Sequence, residues 1–443
     1  MNYKVTKLSN GLRVITASLH ETKAVTVLVL VKVGSRYESR KLNGTSHFIE
    51  HMMFKGTQRR PTTLDLSQEL DSVGAEYNAF TGKDHTGYFV KLQSEKIELA
   101  VDVLADMLFC SKFDSEELNR ERGTIIEEIN MYEDNPLLFA PAFLEETMFG
   151  GTSSLGQLII GPKENIKNIS RQTMLKYRNE FYNPRNMVVG VCGQIKEKRI
   201  LGLIKTCFSD IKALKHKSIK AIEQSSNRTL RHSSRFLTIE QSDNIIATPR
   251  VALKRMDTQQ VQLCLGFLGY SYTHKNRYAL ELLNIILGGN MSSRLFIEVR
   301  ERRGLCYFIR SNNNPYQDTG SFIIQAGLDK ARIDEAIKVI VQELKKLVQL
   351  GASPEELQKA KDYVKGRVIL EFEDSHEIAE FYTSQLLLLN KIESLEKKLK
   401  QIESIRLADI KRVAREILNI KKSTLTLIGP FRDRNRFLRL LWE

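Results

Sequence analysis

The sequence predicts an α+β protein made of two homologous αβ domains, each a mainly antiparallel sheet with helices on one face. Three observations carry that expectation. Strand-like and helix-like segments mix without strict βαβ alternation, which argues against a parallel sheet. An order of elements recurs in the two halves: Asp114-Ser115-Glu116-Glu117-Leu118 is echoed by Ser353-Pro354-Glu355-Glu356-Leu357, at an offset of 357 − 118 = 239. The chain has 443 residues, which suits two domains of roughly 200 residues. The expected division is 1–213, a linker at 214–250, and 251–443.

Each element follows from a local signal. Asn10-Gly11 between apolar residues marks a turn. Ala24–Val33 is β-rich and apolar along its length, so it reads as a buried central strand. Asn43–Phe54 reads as a helix stopped by Gly56, and Leu64–Val73 as an amphipathic helix. Tyr77–Leu92 alternates around Gly82-Lys83-Asp84 as a hairpin does, and Leu99–Leu108 is helical. Asp114 and Glu117 form a capping-box pattern that opens a helix running to about Tyr132, where Asn135-Pro136 ends it. In the second half, Gln260–Gly269 parallels Ala24–Val33, Arg277–Leu287 parallels Asn43–Phe54, and Ile333–Leu347 parallels Ile97–Leu108. Leu425–Gly429 parallels Met187–Gly193. Between the halves, Leu214–Arg250 is rich in Lys, Ser, Gln, Asn and Arg, as linkers are.

The formal net charge is +14, but the basic residues are spread along the chain. The densest stretches are Lys212–Lys220 and Arg432–Arg439. No basic patch is interleaved with aromatics, so a nucleic-acid partner is not expected. Five cysteines occur without a CxxC pair, as expected of free thiols in a reducing compartment. No window approaches the roughly 18 apolar residues of a membrane span, and no apolar leader opens the sequence. The expected compartment is the cytoplasm, with no membrane partner.

The chemistry concentrates at His47-Phe48-Ile49-Glu50-His51. On a helix, His47 and His51 share one face, so both imidazoles can reach one ion. Glu50 projects beside the same site, where it can reach a water on that ion. This is HxxEH, the inverse of HExxH. Chance would place it in about one such sequence in a hundred. Imidazole and carboxylate ligands with one open position suit catalytic zinc. A third ligand is needed, and the helix Ser115–Tyr132 offers Glu121, Glu127 and Glu128. Glu121 and Glu128 are seven apart and share a face; Glu127 points about 100° away. One of the aligned pair should ligate and the other should orient the ligands. Helix geometry leaves the two tied.

His47 to Thr57, His-Phe-Ile-Glu-His-Met-Met-Phe-Lys-Gly-Thr, resembles the pitrilysin/insulinase family of inverzincin peptidases. The sequence is most similar to that family's short bacterial members and to the β-subunit of mitochondrial processing peptidase. The resemblance implies a glutamate ligand 77 positions after the second histidine, which is Glu128 (51 + 77 = 128), with Glu121 in support. It implies one zinc ion per chain and Glu50 as the base that activates a zinc-bound water. Asn78-Ala79-Phe80-Thr81, followed by Thr86 and Tyr88, resembles the family's edge strand, which pairs with the substrate backbone. Gly288-Gly289-Asn290 and, beyond it, Arg300 and Tyr307 resemble the second-half motif, whose Arg and Tyr bind substrate and stabilise the oxyanion.

At the 239 offset Glu128 falls opposite Arg367, so the second half is expected to hold no metal. The resemblance therefore implies an endopeptidase acting on extended or unstructured peptides, with two halves that close like a clamp. It also implies a homodimer, or a heterodimer with a metal-less paralogue. The alternative is a non-catalytic core or scaffold subunit of the same fold. Against it stand His47, Glu50, His51 and Glu128, all present.

Overall fold

The computed structural model describes residues 3–150, 153–209 and 250–442. The expected linker lies outside these residues except for Arg250, which opens a strand. The described chain forms two compact units, and the expected α+β class holds in both.

The first unit contains a six-stranded sheet. Its strands are β1 (Tyr3–Lys7), β2 (Arg13–Ser18), β3 (Ala24–Val31), β4 (Glu76–Thr81), β5 (Thr86–Gln93) and β6 (Met187–Gly193). Their order is β1-β2-β6-β3-β5-β4, antiparallel except at β2–β6. The helices of this half are α1 (Thr45–Met53), α2 (Thr63–Asp71), α3 (Ile97–Cys110), α4 (Ser115–Asp134), α5 (Pro136–Phe149), α6 (Lys163–Asn168), α7 (Arg171–Phe181) and α8 (Glu197–Ser209). α4 starts where the capping pattern places it, with Asp114 Oδ1 accepting from Glu116 N–H at 2.8 Å. Pro136 does end α4, and it also opens α5 as that helix's first residue, capped by Asn135.

The second unit contains a five-stranded sheet of β7 (Arg250–Arg255), β8 (Gln260–Gly269), β9 (Cys306–Pro315), β10 (Gly320–Asp329) and β11 (Thr424–Gly429). The helices of this half of the sequence are α9 (Arg277–Leu287), α10 (Ile333–Leu350), α11 (Pro354–Glu371), α12 (Ser375–Leu388), α13 (Leu395–Ser404), α14 (Leu407–Ile417) and α15 (Arg434–Trp442). The strand order is β7-β11-β8-β10-β9, with its one parallel pair at β7–β11. That is the order β2-β6-β3-β5-β4 over again, so the repeat seen as an offset in sequence is a repeat of topology. The basic stretch Arg432–Arg439 is not a solvated tail. It forms most of α15, which buries Phe437, Leu440 and Leu441 and pairs Arg436 with Asp334 at 2.8 Å.

The expectation of helices on one face of each sheet was incomplete. β3 is apolar on both faces. Val25, Val27, Val29 and Val31 pack with α1 and α3, whereas Leu28 and Leu30 pack with Ile378, Ala379, Tyr382 and Leu386 of α12. α12 comes from the second half of the sequence yet belongs to the first unit. Reciprocally, α5 belongs to the second unit, where Ala140, Leu144 and Met148 pack on Cys264, Ile323 and Ile428. The exchanged helices are both 14 residues long, and their starts differ by 375 − 136 = 239, the repeat offset. Buried polar contacts hold them: Thr26 Oγ1 to Ser375 Oγ at 2.8 Å in the first unit, Ser321 Oγ to Glu145 Oε1 at 2.6 Å in the second.

Close approach of α12 requires a glycine beneath it. A Cβ on Gly190 of β6 would lie 2.0 Å from Thr383 Oγ1. Gly190→Ala should therefore shift the denaturant midpoint downward, by about 1–3 kcal/mol of stability. Gly202→Ala in α8, where a Cβ meets nothing within 4 Å, should instead raise it by about 0.5–1 kcal/mol. Equal shifts in the two variants would contradict the packing account.

Candidate metal centre

α1 carries the HxxEH residues, and its placement begins with Glu38. This buried carboxylate accepts from Ser46 N–H at 2.6 Å, Gly44 N–H at 2.8 Å and Asn43 Nδ2 at 2.9 Å. It satisfies donors at the start of α1 that no helical carbonyl can reach. Ser46 Oγ is also 3.0 Å from Tyr177 Oη on α7, which fixes the helix against the core.

On α1, His47 and His51 do share a face, with ring centroids 4.5 Å apart. Both Nε2 atoms approach one carboxylate oxygen of α4: Glu128 Oε2 lies 3.7 Å from His47 Nε2 and 3.5 Å from His51 Nε2. Ligand atoms of all three residues fall within 4.8 Å of one another, the one such group among the described residues. Tetrahedral zinc with bonds of about 2.0–2.1 Å sets its ligand atoms about 3.3 Å apart. The donor set and the two measured separations fit that ion.

Glu121 occupies the supporting position. His51 Nδ1 donates to Glu121 Oε1 at 2.8 Å. A carboxylate can only accept, so the hydrogen sits on Nδ1 and the Nε2 lone pair points to the site. Lys55 Nζ lies 2.5 Å from Glu121 Oε2 and keeps the carboxylate ionised. Glu127 points elsewhere, accepting from Asn130 at 3.2 Å. The tie that helix geometry left is thus broken by position, with Glu128 beside the two Nε2 atoms and Glu121 behind His51.

Electrostatics separate the roles. Burial, with the His51 charge, depresses the His47 pKa to about 3, so this imidazole is neutral and ready to ligate. Burial also works against charge on His51, but the Glu121 hydrogen bond and the surrounding carboxylates outweigh it and raise its pKa. The Glu50 carboxyl is pushed up by burial, with Thr81 and His51 opposing and Glu128 reinforcing. Glu128 is pushed up by burial, and Glu121 adds to it. A divalent cation would relieve both acids.

Thr81 has a function that its motif did not suggest. Its Oγ1 donates a short hydrogen bond to Glu50 Oε2. It ends β4, which the strand order makes the sheet's edge, as expected for Asn78, Ala79, Phe80 and Thr81. Asn78 is exposed, while Ala79 and Phe80 are half-buried. Lys55 and Glu38 were also missed. Lys55 was visible as the one cation within the His47–Thr57 motif; Glu38 had no signal beyond being an acid just ahead of α1.

Arg300 and Tyr307 belong to the second unit. Arg300 lies on a π-helical turn at Phe296–Glu301, and its guanidinium carbon is 5.8 Å from the Tyr307 ring centroid. Tyr307, on the edge strand β9, is 73% exposed. The two are neighbours within that unit. Arg367 lies on α11, the counterpart of α4.

With the fold and the centre defined, the class follows. Residues 13–163 match the model for insulinase, peptidase family M16, and residues 168–364 match the one described as the peptidase M16 inactive domain. The chain belongs to the insulinase family, peptidase family M16. It is 32% identical to an uncharacterized zinc protease of Streptomyces coelicolor, over 97% of this chain and 90% of that one. It is also 32% identical to the uncharacterized zinc protease YmxG of Bacillus subtilis, over 95% and 97%. A crystal structure of a protease from Helicobacter pylori superposes with a TM-score of 0.85 at 25% identity, covering 97% of this chain and 99% of the other.

The centre predicts a graded response to substitution. Glu128→Gln should lose most bound zinc in a chelator competition, and Glu121→Gln should lose about 10–100-fold in affinity. Glu127→Gln should be unchanged. Zinc uptake must also displace the proton on His51, so affinity should fall about tenfold per pH unit below the raised His51 pKa. Glu121→Gln removes the group that raises it, so that fall should move to lower pH. An unmoved pH profile would show that Glu121 does not act through His51.

Proposed function

We propose that the chain is a zinc-dependent endopeptidase acting on extended or unstructured peptides. The observation that carries this reading is the juxtaposition of a complete ligand set, His47, His51 and Glu128, with a half-buried carboxylate, Glu50, that is not needed as a ligand. Zinc held there supplies Lewis acidity and brings the pKa of a water towards ~7. Thr81 engages Glu50 Oε2, which leaves Oε1 to accept the proton from the attacking water. Burial raises the Glu50 pKa, so once protonated the same carboxyl can pass the proton to the leaving amine.

β4 has a neighbouring strand on one side alone among the described residues, which suits recognition of a peptide backbone by strand addition. Arg300 and Tyr307 are the proposed substrate and oxyanion donors. The Tyr307 hydroxyl is exposed and adjacent to a guanidinium, as a donor to developing negative charge should be. One zinc per chain and a homodimer complete the proposal. No helix among the described residues is long and apolar enough to cross a membrane.

Glu50→Gln should abolish cleavage of an unstructured peptide while zinc content stays near one per chain. Tyr307→Phe should keep zinc and lose about 10²–10³ in kcat. Retained cleavage by Glu50→Gln would overturn the mechanism.

A further inference from the structure

A second site lies within the first unit, on the sheet face covered by α12. A cavity of about 770 Å³ is lined by Lys7, Arg13, Lys32 and Arg185 together with Asn186 and Asn390, and its lining contains no acidic residue. The sheet register explains the convergence. Lys7 of β1 pairs with Arg13 of β2, and Arg13 pairs with Val188 of β6. Val188 pairs with Leu30 of β3, and Lys32 follows two positions on. Val188 and Leu30 face α12, so the cations continue that face past the helix's last turn.

The cavity floor is built rather than loose. Asn186 Nδ2 donates to the Lys32 carbonyl at 3.0 Å, and Lys32 N–H donates to the Asn186 carbonyl at 3.0 Å. Arg13 Nη1 donates to the Leu386 carbonyl at 2.8 Å and to Asn390 Oδ1 at 3.1 Å, both neutral acceptors. The Arg185 side chain lies across Gly11, where a Cβ would come within 2.7 Å of its Cγ. Among the described residues no carboxylate forms an ion pair with any of the four cations, of which Lys7 and Arg185 are exposed and Arg13 and Lys32 half-buried. Burial weakens the charged forms of Arg13 and Lys32; Asp84 favours Lys32, but Asp84 is itself paired with Arg36 at 2.6 Å. The half-buried charges of Arg13 and Lys32 are the ones that an anionic ligand relieves.

We propose that this cavity is a binding site for a small phosphate-bearing polyanion, held between Arg13, Lys32 and Arg185. Guanidinium forks and an ammonium group supply the planar and point-charge donors that phosphate oxygens accept. A cavity of this size admits a pyrophosphate or a nucleoside diphosphate. The inference does not depend on the peptidase reading.

The test is calorimetric titration of the zinc-loaded full chain with inorganic pyrophosphate and, separately, with ADP, at about 0.15 M salt. Binding should weaken at least about tenfold in Lys32→Gln and in Arg185→Gln, and stay unchanged in Lys330→Gln, which removes an exposed charge elsewhere. Binding of both probes identifies the diphosphate as the recognised element; binding of ADP alone identifies a nucleotide. Thermal unfolding checks that the variants fold, and Lys32→Gln should raise the ligand-free midpoint by removing a charge that burial disfavours. Failure of both probes to bind would overturn the proposal. So would binding that persists in Lys32→Gln and Arg185→Gln, which would place the anion on the zinc, or equal loss in Lys330→Gln, which would reduce it to net charge.

Discussion

The hydrogen bond from His51 Nδ1 to Glu121 Oε1, 2.8 Å long, joins α1 to α4 at the point where the two helices must agree on one ion. Everything else at the centre is arranged around that agreement. Glu38 holds the start of α1, and Tyr177 meets Ser46 one turn before His51. On α4, Ile125 and Ile129 are buried in the same core as Phe48 and Met52 of α1. Apolar packing sets the distance between the helices, and the polar pair sets their rotation. A slip of one residue along α4 would turn Glu128 away by about 100° and bring Glu127 forward.

The candidate ligands were legible because residues four apart on a helix share a face, a spacing that one short motif records. His47, Glu50 and His51 are dictated by one turn of helix. Glu121 and Glu128 could be paired from helix geometry alone, but two residues on one face have equal claims until the facing helix is known. Thr81 shows the opposite case. Its motif marked an edge strand, while its contact with Glu50 depends on how β4 lies against α1, which no local pattern records.

The exchange of α5 and α12 was half-visible. Ala24–Val31 is apolar at even and odd positions except Thr26, and a strand of that kind must be covered on both faces. That much implies a second layer. The source of the layer is a tertiary fact: an apolar helix face fits any apolar sheet of similar twist, so periodicity cannot tell α12 from a helix of its own half. The sequence pattern did not single out either helix; only their starts in the fold, 136 and 375, show them to be counterparts at the repeat offset. Gly190 and Gly266 mark where they land. A Cβ on either would collide with the incoming helix, with Thr383 of α12 and with Met148 and Leu144 of α5 respectively.

Duplication explains why one half can afford the centre. Glu50, Glu121 and Glu128 crowd three acids around two imidazoles, and burial raises the pKa of Glu50 and Glu128. Without a metal ion the burial of Glu50 and Glu128 opposes folding, because their carboxylates must shed water, whereas Glu121 is held ionised by His51 and Lys55. The counterpart helix α11 carries Arg367 at the position of Glu128 and bears no such load. A site bound only in the folded state returns stability in proportion to the logarithm of metal concentration over its dissociation constant. Metal binding would therefore serve two ends at once under the proposed function. It would make Glu50 and Glu128 tolerable where they stand, and it would leave Glu50, half-buried with one oxygen held by Thr81, free to act as the base.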